Sequence, residues 1–162
     1  MKIYVASSWR NALQPQVVKA LRDAGHEVYD FRNPHATGPD HGRRGVGFSW
    51  SEIDPGWQGW TPEQYRAALE HPAARDGFAS DMDALNWADA LVMVQPCGRS
   101  AALEMGYACG RSMPVAVLLA PGEPELMLKM GDLCLDLLEV LDWVRDVSTP
   151  EPAPELSEPE RP

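Results

Sequence analysis

The sequence is short of positive charge, cysteine, histidine and long apolar runs, and each shortage closes off a class of function. Lys and Arg number 14 against 24 Asp and Glu, a formal net charge of −10 over 162 residues. Nucleic-acid polymers are held by basic surfaces, so such a partner is not expected. A small nucleotide is still allowed, because one or two well-placed arginines hold a single phosphate. The three cysteines, Cys97, Cys109 and Cys134, are odd in number and form no CxxC pair. They read as reduced thiols rather than a disulfide framework. No apolar run approaches the roughly 18 residues that span a bilayer, and the chain enters a strand pattern at Lys2 without a charged-then-apolar leader. The expectation is a soluble cytoplasmic protein with no membrane partner. His35, Asp40 and His41 lie close in sequence but lack the further ligands at fixed spacing that a metal site needs, so no metal is expected. His71, just before Pro72, reads as a loop residue.

At 44% hydrophobic residues the chain can bury a real core, and its length suits one domain. Lys2 to Ala6 reads as a strand, and Val17, Val18 and Leu21 mark a helix with Pro15 in its first turn, ending at Gly25. His26 to Phe31 reads as a second strand. Helices are predicted over Pro62–Glu70, Asp76–Ala88, Ser100–Gly110 and Leu133–Val144, with a short one over Glu123–Met130. Strands are predicted over Ala90–Gln95 and Pro114–Leu119. This alternation predicts an α/β domain over residues 1–147. It is a three-layer, doubly wound, flavodoxin-like fold, with a mostly parallel sheet of about five strands and helices on both faces. Residues 32–61 form an insert rich in Gly and Pro that carries Phe48, Trp50, Trp57 and Trp60. Disordered segments are aromatic-poor, so this insert should be ordered. Residues 148–162 are almost all Pro, Glu, Ser and Thr and are expected to be a disordered tail. No internal repeat is visible.

In such folds ligands bind at the carboxyl ends of the strands, which directs attention to a few residues. Glu104 is the one charge in Ala101–Cys109. With Ser100 as helix cap it would sit in the first turn, where the helix N-terminus favours an ionised carboxylate. Burial would favour the neutral form, and an ionised, poorly solvated carboxylate is a competent nucleophile. The plainer reading is a Glu that complements the helix dipole. Asp81 falls within the apolar stripe Phe78, Met82, Leu85, and an inward carboxylate needs a partner. That partner is a sugar hydroxyl, a leaving base, or simply an arginine or a neighbouring helix end. Ser7, Ser8, Trp9 and Arg10 follow the first strand, and Gly98, Arg99 and Ser100 follow the third. Two Ser/Arg loops at strand ends suit an anion, and ordinary capping is the alternative. Tyr4, inside the first strand, is either a packing residue or a phenol reaching the site. Phe48 and Trp50 are candidates for stacking a flat base, whereas Trp57 and Trp60 also suit packing of the insert onto the body.

Together these residues resemble the nucleoside 2-deoxyribosyltransferase superfamily, including its nucleotide N-glycosidase branch. The opening Ile3-Tyr4-Val5-Ala6-Ser7-Ser8-Trp9-Arg10 is similar to the family's first strand and loop. Asp81, with Ala88-Asp89 ahead of the strand, is similar to its inward aspartate. Leu103-Glu104-Met105-Gly106-Tyr107-Ala108 is similar to its E-x-G-Y-A helix. The likeness runs from about residue 1 to 145. It implies Glu104 as nucleophile, Asp81 as sugar-holding or proton-relaying carboxylate and Tyr4 as the group that orients Glu104. It also implies no cofactor, and a homodimer or higher homo-oligomer. The family's transferases carry an acid six positions before the nucleophile, whereas Gly98 stands there here, beside Arg99 and Ser100. The expected activity is therefore cleavage of the N-glycosidic bond of a nucleoside 5′-monophosphate or nucleoside, through a glycosyl–Glu104 intermediate resolved by water. Base exchange between deoxyribosides is one alternative, and a nucleotide-binding sensor without chemistry is another.

Overall fold

The computed structural model describes residues 1–34 and 47–149. Five strands, β1 (Lys2–Ala6), β2 (Glu27–Asp30), β3 (Ala90–Val94), β4 (Val115–Leu118) and β5 (Asp132–Cys134), form one sheet in the order β2-β1-β3-β4-β5. Every neighbouring pair is parallel. The α/β, three-layer, flavodoxin-like expectation holds. β3 is buried along its whole length, as a strand covered on both faces must be.

Side-chain alternation divides the core in two. Tyr4, Tyr29, Leu91 and Met93 face α3 (Pro72–Trp87) and α4 (Arg99–Gly110). Ile3, Val5, Val28 and Val92 face α1 (Gln14–Asp23) and α5 (Leu137–Ser148). Pro15 lies in the first turn of α1, and Gly25 takes φ +88° just past its end, where a side chain would be strained. α2 (Pro62–Leu69) begins with a Thr61–Gln64 capping box and sits beside α3.

Several boundaries differ from the sequence expectation. The run Leu133–Val144 is not one helix: Asp132–Cys134 pairs with β4, and α5 starts after Asp136, whose carboxylate accepts from Glu139 N at 3.0 Å. A three-residue edge strand is too short to show a period. α3 begins at Pro72, and His71 is its N-cap, accepting from Ala73 N at 3.2 Å. Phe78 is not inward but 69% exposed, because the buried face of α3 is drawn by the small residues Ala74, Gly77, Ser80 and Ala84 together with Leu85. Leu126–Met130 is a 3-10 turn rather than an α-helix. Helix α5 runs through Ser148, one residue into the stretch expected to be a tail. Residues 150–162, and the His35, Asp40 and His41 group, lie outside the described residues.

Candidate active site

In this strand order the chain direction of the crossovers reverses between β1 and β3, and their carboxyl ends part to leave a crevice. The loop after β1 is built rather than loose. Ser7 Oγ donates to Val94 O at 2.8 Å, and Asn11 Nδ2 donates to Val94 O at 3.1 Å and Pro96 O at 3.2 Å, so the β1 and β3 loops are pinned together. Arg32 then donates through one nitrogen to the carbonyls of Ser8 (2.8 Å), Trp9 (3.1 Å) and Asn11 (2.8 Å). Arg32 thus neither lines the cleft nor meets an anion; it holds the loop's shape from behind. Buried Asp30 orders the same corner, accepting from Gln14 Nε2 at 2.8 Å and Arg32 N at 3.0 Å.

Over this crevice lies a cleft of about 840 Å³. Ser7, Ser8, Trp9, Arg10, Phe48, Trp50, Gly98, Arg99, Ser100, Asp81 and Glu104 all line it. Ser7 and Glu104, 97 positions apart in sequence, are thereby brought to one place. The sequence reading missed Tyr29, Phe31, Ser80 and Tyr65, which line it too. Ser80 Oγ is buried and has no hydrogen-bond partner among the described residues.

Two details of α4 differ from expectation. Gly98, not Ser100, is the N-cap, and it has no side chain with which to cap the helix. Glu104 is therefore the sixth helical residue, in the second turn, where the helix dipole is weak. Its position comes from periodicity: Ala101, Met105 and Ala108 pack on the sheet, and Glu104 turns to the cleft beside them.

The electrostatics follow from burial. Glu104 has its pKa pushed up to about 8, first by loss of water and then by the charge of Asp81, while Tyr4 pulls it down. Asp81 is raised to about 6 by loss of water, against a hydrogen bond from Tyr29. At neutral pH Glu104 therefore favours its protonated form and Asp81 its charged form, contrary to the expectation of an ionised Glu104. The two carboxyls behave as a coupled pair, since one raises the other. Tyr4 is fully buried beneath them and feels both, with its own pKa raised by burial, by Glu104 and by Asp81. Its hydroxyl has no partner in full hydrogen-bond geometry, yet it faces Glu104 closely enough to shift that carboxyl.

One wall of the cleft is aromatic. Trp50 meets Phe48 (ring centroids 4.8 Å apart), Trp60 (5.7 Å) and Tyr65 (5.6 Å), each edge to face. Trp60 is fixed by its indole N–H on Asp54 at 2.6 Å. Trp57 and Trp60 line the cleft as well, so in the insert packing and lining are not alternatives. Trp9, edge to face with Phe31 at 5.4 Å, lines the cleft too, and its ring lies against Gly47. Among the described residues, no group of His, Cys, Asp and Glu could hold a metal ion, and no helix is long and apolar enough to cross a membrane.

No family model and no curated protein sequence matches the chain. Among solved structures, it is similar to the 2-deoxyribosyltransferase from the psychrotolerant bacterium Bacillus psychrosaccharolyticus, described as a biocatalyst for nucleoside synthesis. The likeness has a TM-score of 0.51 and 23% identity, and covers 86% of this chain and 90% of the other. The chain shares the parallel α/β fold of that 2-deoxyribosyltransferase.

Proposed function

We propose that this protein cleaves the N-glycosidic bond of a nucleoside 5′-monophosphate or nucleoside, with Glu104 as nucleophile. The observation that carries this reading is the meeting of two desolvated carboxyls, Glu104 and Asp81, over the Tyr4 phenol in one aromatic-walled cleft. A glycosidic bond breaks through a cation-like sugar, and a carboxylate held in a dry site is the group that stabilises and then captures it. The positive charge developing at the anomeric carbon favours an ionised Glu104, so its attack strengthens as the bond breaks.

In the proposed sequence, a Glu104 oxygen bonds to the anomeric carbon while the carbon–nitrogen bond breaks. The base leaves with the bonding pair and gains a proton from solvent or the one that Glu104 gives up as it attacks. Water then attacks the same carbon, releasing free sugar or sugar phosphate and returning its other proton to the Glu104 carboxyl. Asp81, ionised at neutral pH, is better suited to accept a hydrogen bond from the sugar than to donate a proton. Phe48 and Trp50 would stack the base. Ser8, Arg10, Arg99 and Ser100 would hold the 5′ end, aided by the α4 N-terminus, where the N-cap is Gly98 and brings no side chain to its first-turn N–H groups.

A second reading, exchange of bases between deoxyribosides, is favoured by the structural neighbour, which is a 2-deoxyribosyltransferase. A non-catalytic nucleotide sensor is the third. The test is a panel of nucleosides and 5′-monophosphates monitored for released base, with and without a second free base. Free sugar or sugar phosphate supports hydrolysis, and a new nucleoside supports transfer. Binding without base release across the panel would leave the sensor. The proposal includes a cytoplasmic homodimer or larger homo-oligomer, to be checked by light scattering. Exposed Phe78 (69%) and Leu103 (75%), on the two helices that carry the carboxyls, are consistent with it.

A further inference from the structure

Tyr29 belongs to β2, an edge strand of the sheet, and nothing in its local sequence marks it. The sheet register sets it directly beside Tyr4, and the two rings stack with centroids 5.1 Å apart and planes 24° apart. Its side chain is buried, but its hydroxyl reaches across to α3 and donates to Asp81 Oδ1 at 3.0 Å. A packing tyrosine needs only some partner for its hydroxyl. This one takes the carboxylate that lines the cleft, although a Phe would fill the same core space.

We propose that Tyr29 is a positioning residue of this site: it fixes Asp81 Oδ1, so that Oδ2 is turned to the substrate, and through its stack on Tyr4 it locks the Asp81 and Glu104 sides together. No protein donor among the described residues meets Oδ2, so the second oxygen is left for a ligand hydroxyl. Without the Tyr29 bond the Asp81 carboxyl is free to rotate about its last torsion, which is broad and soft. The groups around Asp81 come from three elements: Tyr4 on β1, Tyr29 on β2 and Glu104 on α4, while Asp30 turns to the other face of the sheet and bonds to Gln14. Arg10 and Arg99 stand at the rim. The Tyr29 hydroxyl is the hydrogen-bond donor to Asp81 within this group. Removing it moves Asp81 toward the neutral form, which also lessens the charge felt by Glu104.

This inference rests on the proposed glycosidic cleavage, but its test has an arm that does not. Full-length wild type and Tyr29→Phe, labelled with ¹³C at the carboxyls, are titrated by NMR, and kcat, KM and the pH profile are measured on whichever substrate the wild type cleaves. The expected result is a folded variant whose Asp81 titrates at higher pH and whose kcat falls about ten- to a hundred-fold, as for a misplaced group. In the Asp81→Asn background, Tyr29→Phe should add no further loss, because it acts through Asp81. An unchanged Asp81 titration and pH profile would overturn the inference, as would a full additive loss in the Asn background. A variant that fails to fold would overturn it too, since the hydroxyl would then be structural. If the wild type releases no base from any substrate, the cleavage reading fails on its own, and the NMR arm still decides whether Tyr29 governs Asp81.

Discussion

Gly77 on α3 faces Phe48 so closely that a Cβ at position 77 would stand 2.7 Å from the Phe48 Cβ. The missing side chain is what lets the aromatic insert close down on the helix that carries Asp81. Gly77→Ala is therefore expected to push Phe48 out of place and cost roughly 1–3 kcal/mol, as overpacking does. Urea denaturation measures that loss. In the base-release assay KM should rise more than kcat falls, because the carboxyls themselves are untouched.

Trp50 holds that same wall by contacts to Phe48, Trp60 and Tyr65. Trp50→Ala is expected to weaken substrate binding by about 1–3 kcal/mol, the worth of a base-stacking ring. Isothermal titration with a nucleoside monophosphate checks it, and unchanged affinity would remove Trp50 from the binding surface.

Arg32 acts on the opposite side. Its three bonds to the carbonyls of Ser8, Trp9 and Asn11 predict that Arg32→Ala lowers stability by about 1.5–3 kcal/mol. Arg32→Lys should recover part of this, since all three bonds leave a single nitrogen and an ammonium carries three N–H donors. Thermal denaturation of the two variants separates these outcomes from a simple charge effect.

The raised pKa of Glu104 makes a stability prediction with a definite sign. The folded protein keeps this proton up to about pH 8, whereas the unfolded chain releases it near 4.5. Folding therefore takes up a proton across that window, and stability falls as pH rises through it. Glu104→Gln removes the effect, so its melting temperature should exceed that of the wild type, by a gap that widens between pH 5 and 8. A gap that is constant with pH would mean that Glu104 is not desolvated. The same shift predicts that kcat/KM climbs toward pH 8, as Glu104 ionises. Asp81→Asn, by removing the neighbouring charge, should move that climb to lower pH.

What the sequence disclosed was whatever had a local signature. Glu104 lies in E-x-G-Y-A at the start of a helix, and the strand-forming runs around Tyr4 and Val92 give the sheet. The cleft collected every loop residue expected of it, because both loops follow strands that turned out to be adjacent. The Tyr29–Asp81 bond was not readable, since it depends on β1–β2 register and on the rotation of α3, neither of which one sequence states. That rotation was misjudged through Phe78: large apolar residues were weighed over the small ones at 74, 77, 80 and 84 that lie against the sheet and the insert. The neutral form of Glu104 was also hidden, because burial in a shared cleft outweighs a helix end six residues away.

The most direct test of the account is the intact mass of the protein after rapid quenching with a cleavable nucleotide, or with a 2-fluoro analogue that slows release of the sugar. The account predicts an added mass equal to the sugar or sugar phosphate, mapped to Glu104 and absent from Glu104→Gln. Base release with no adduct on Glu104, or with normal turnover by Glu104→Gln, would contradict it.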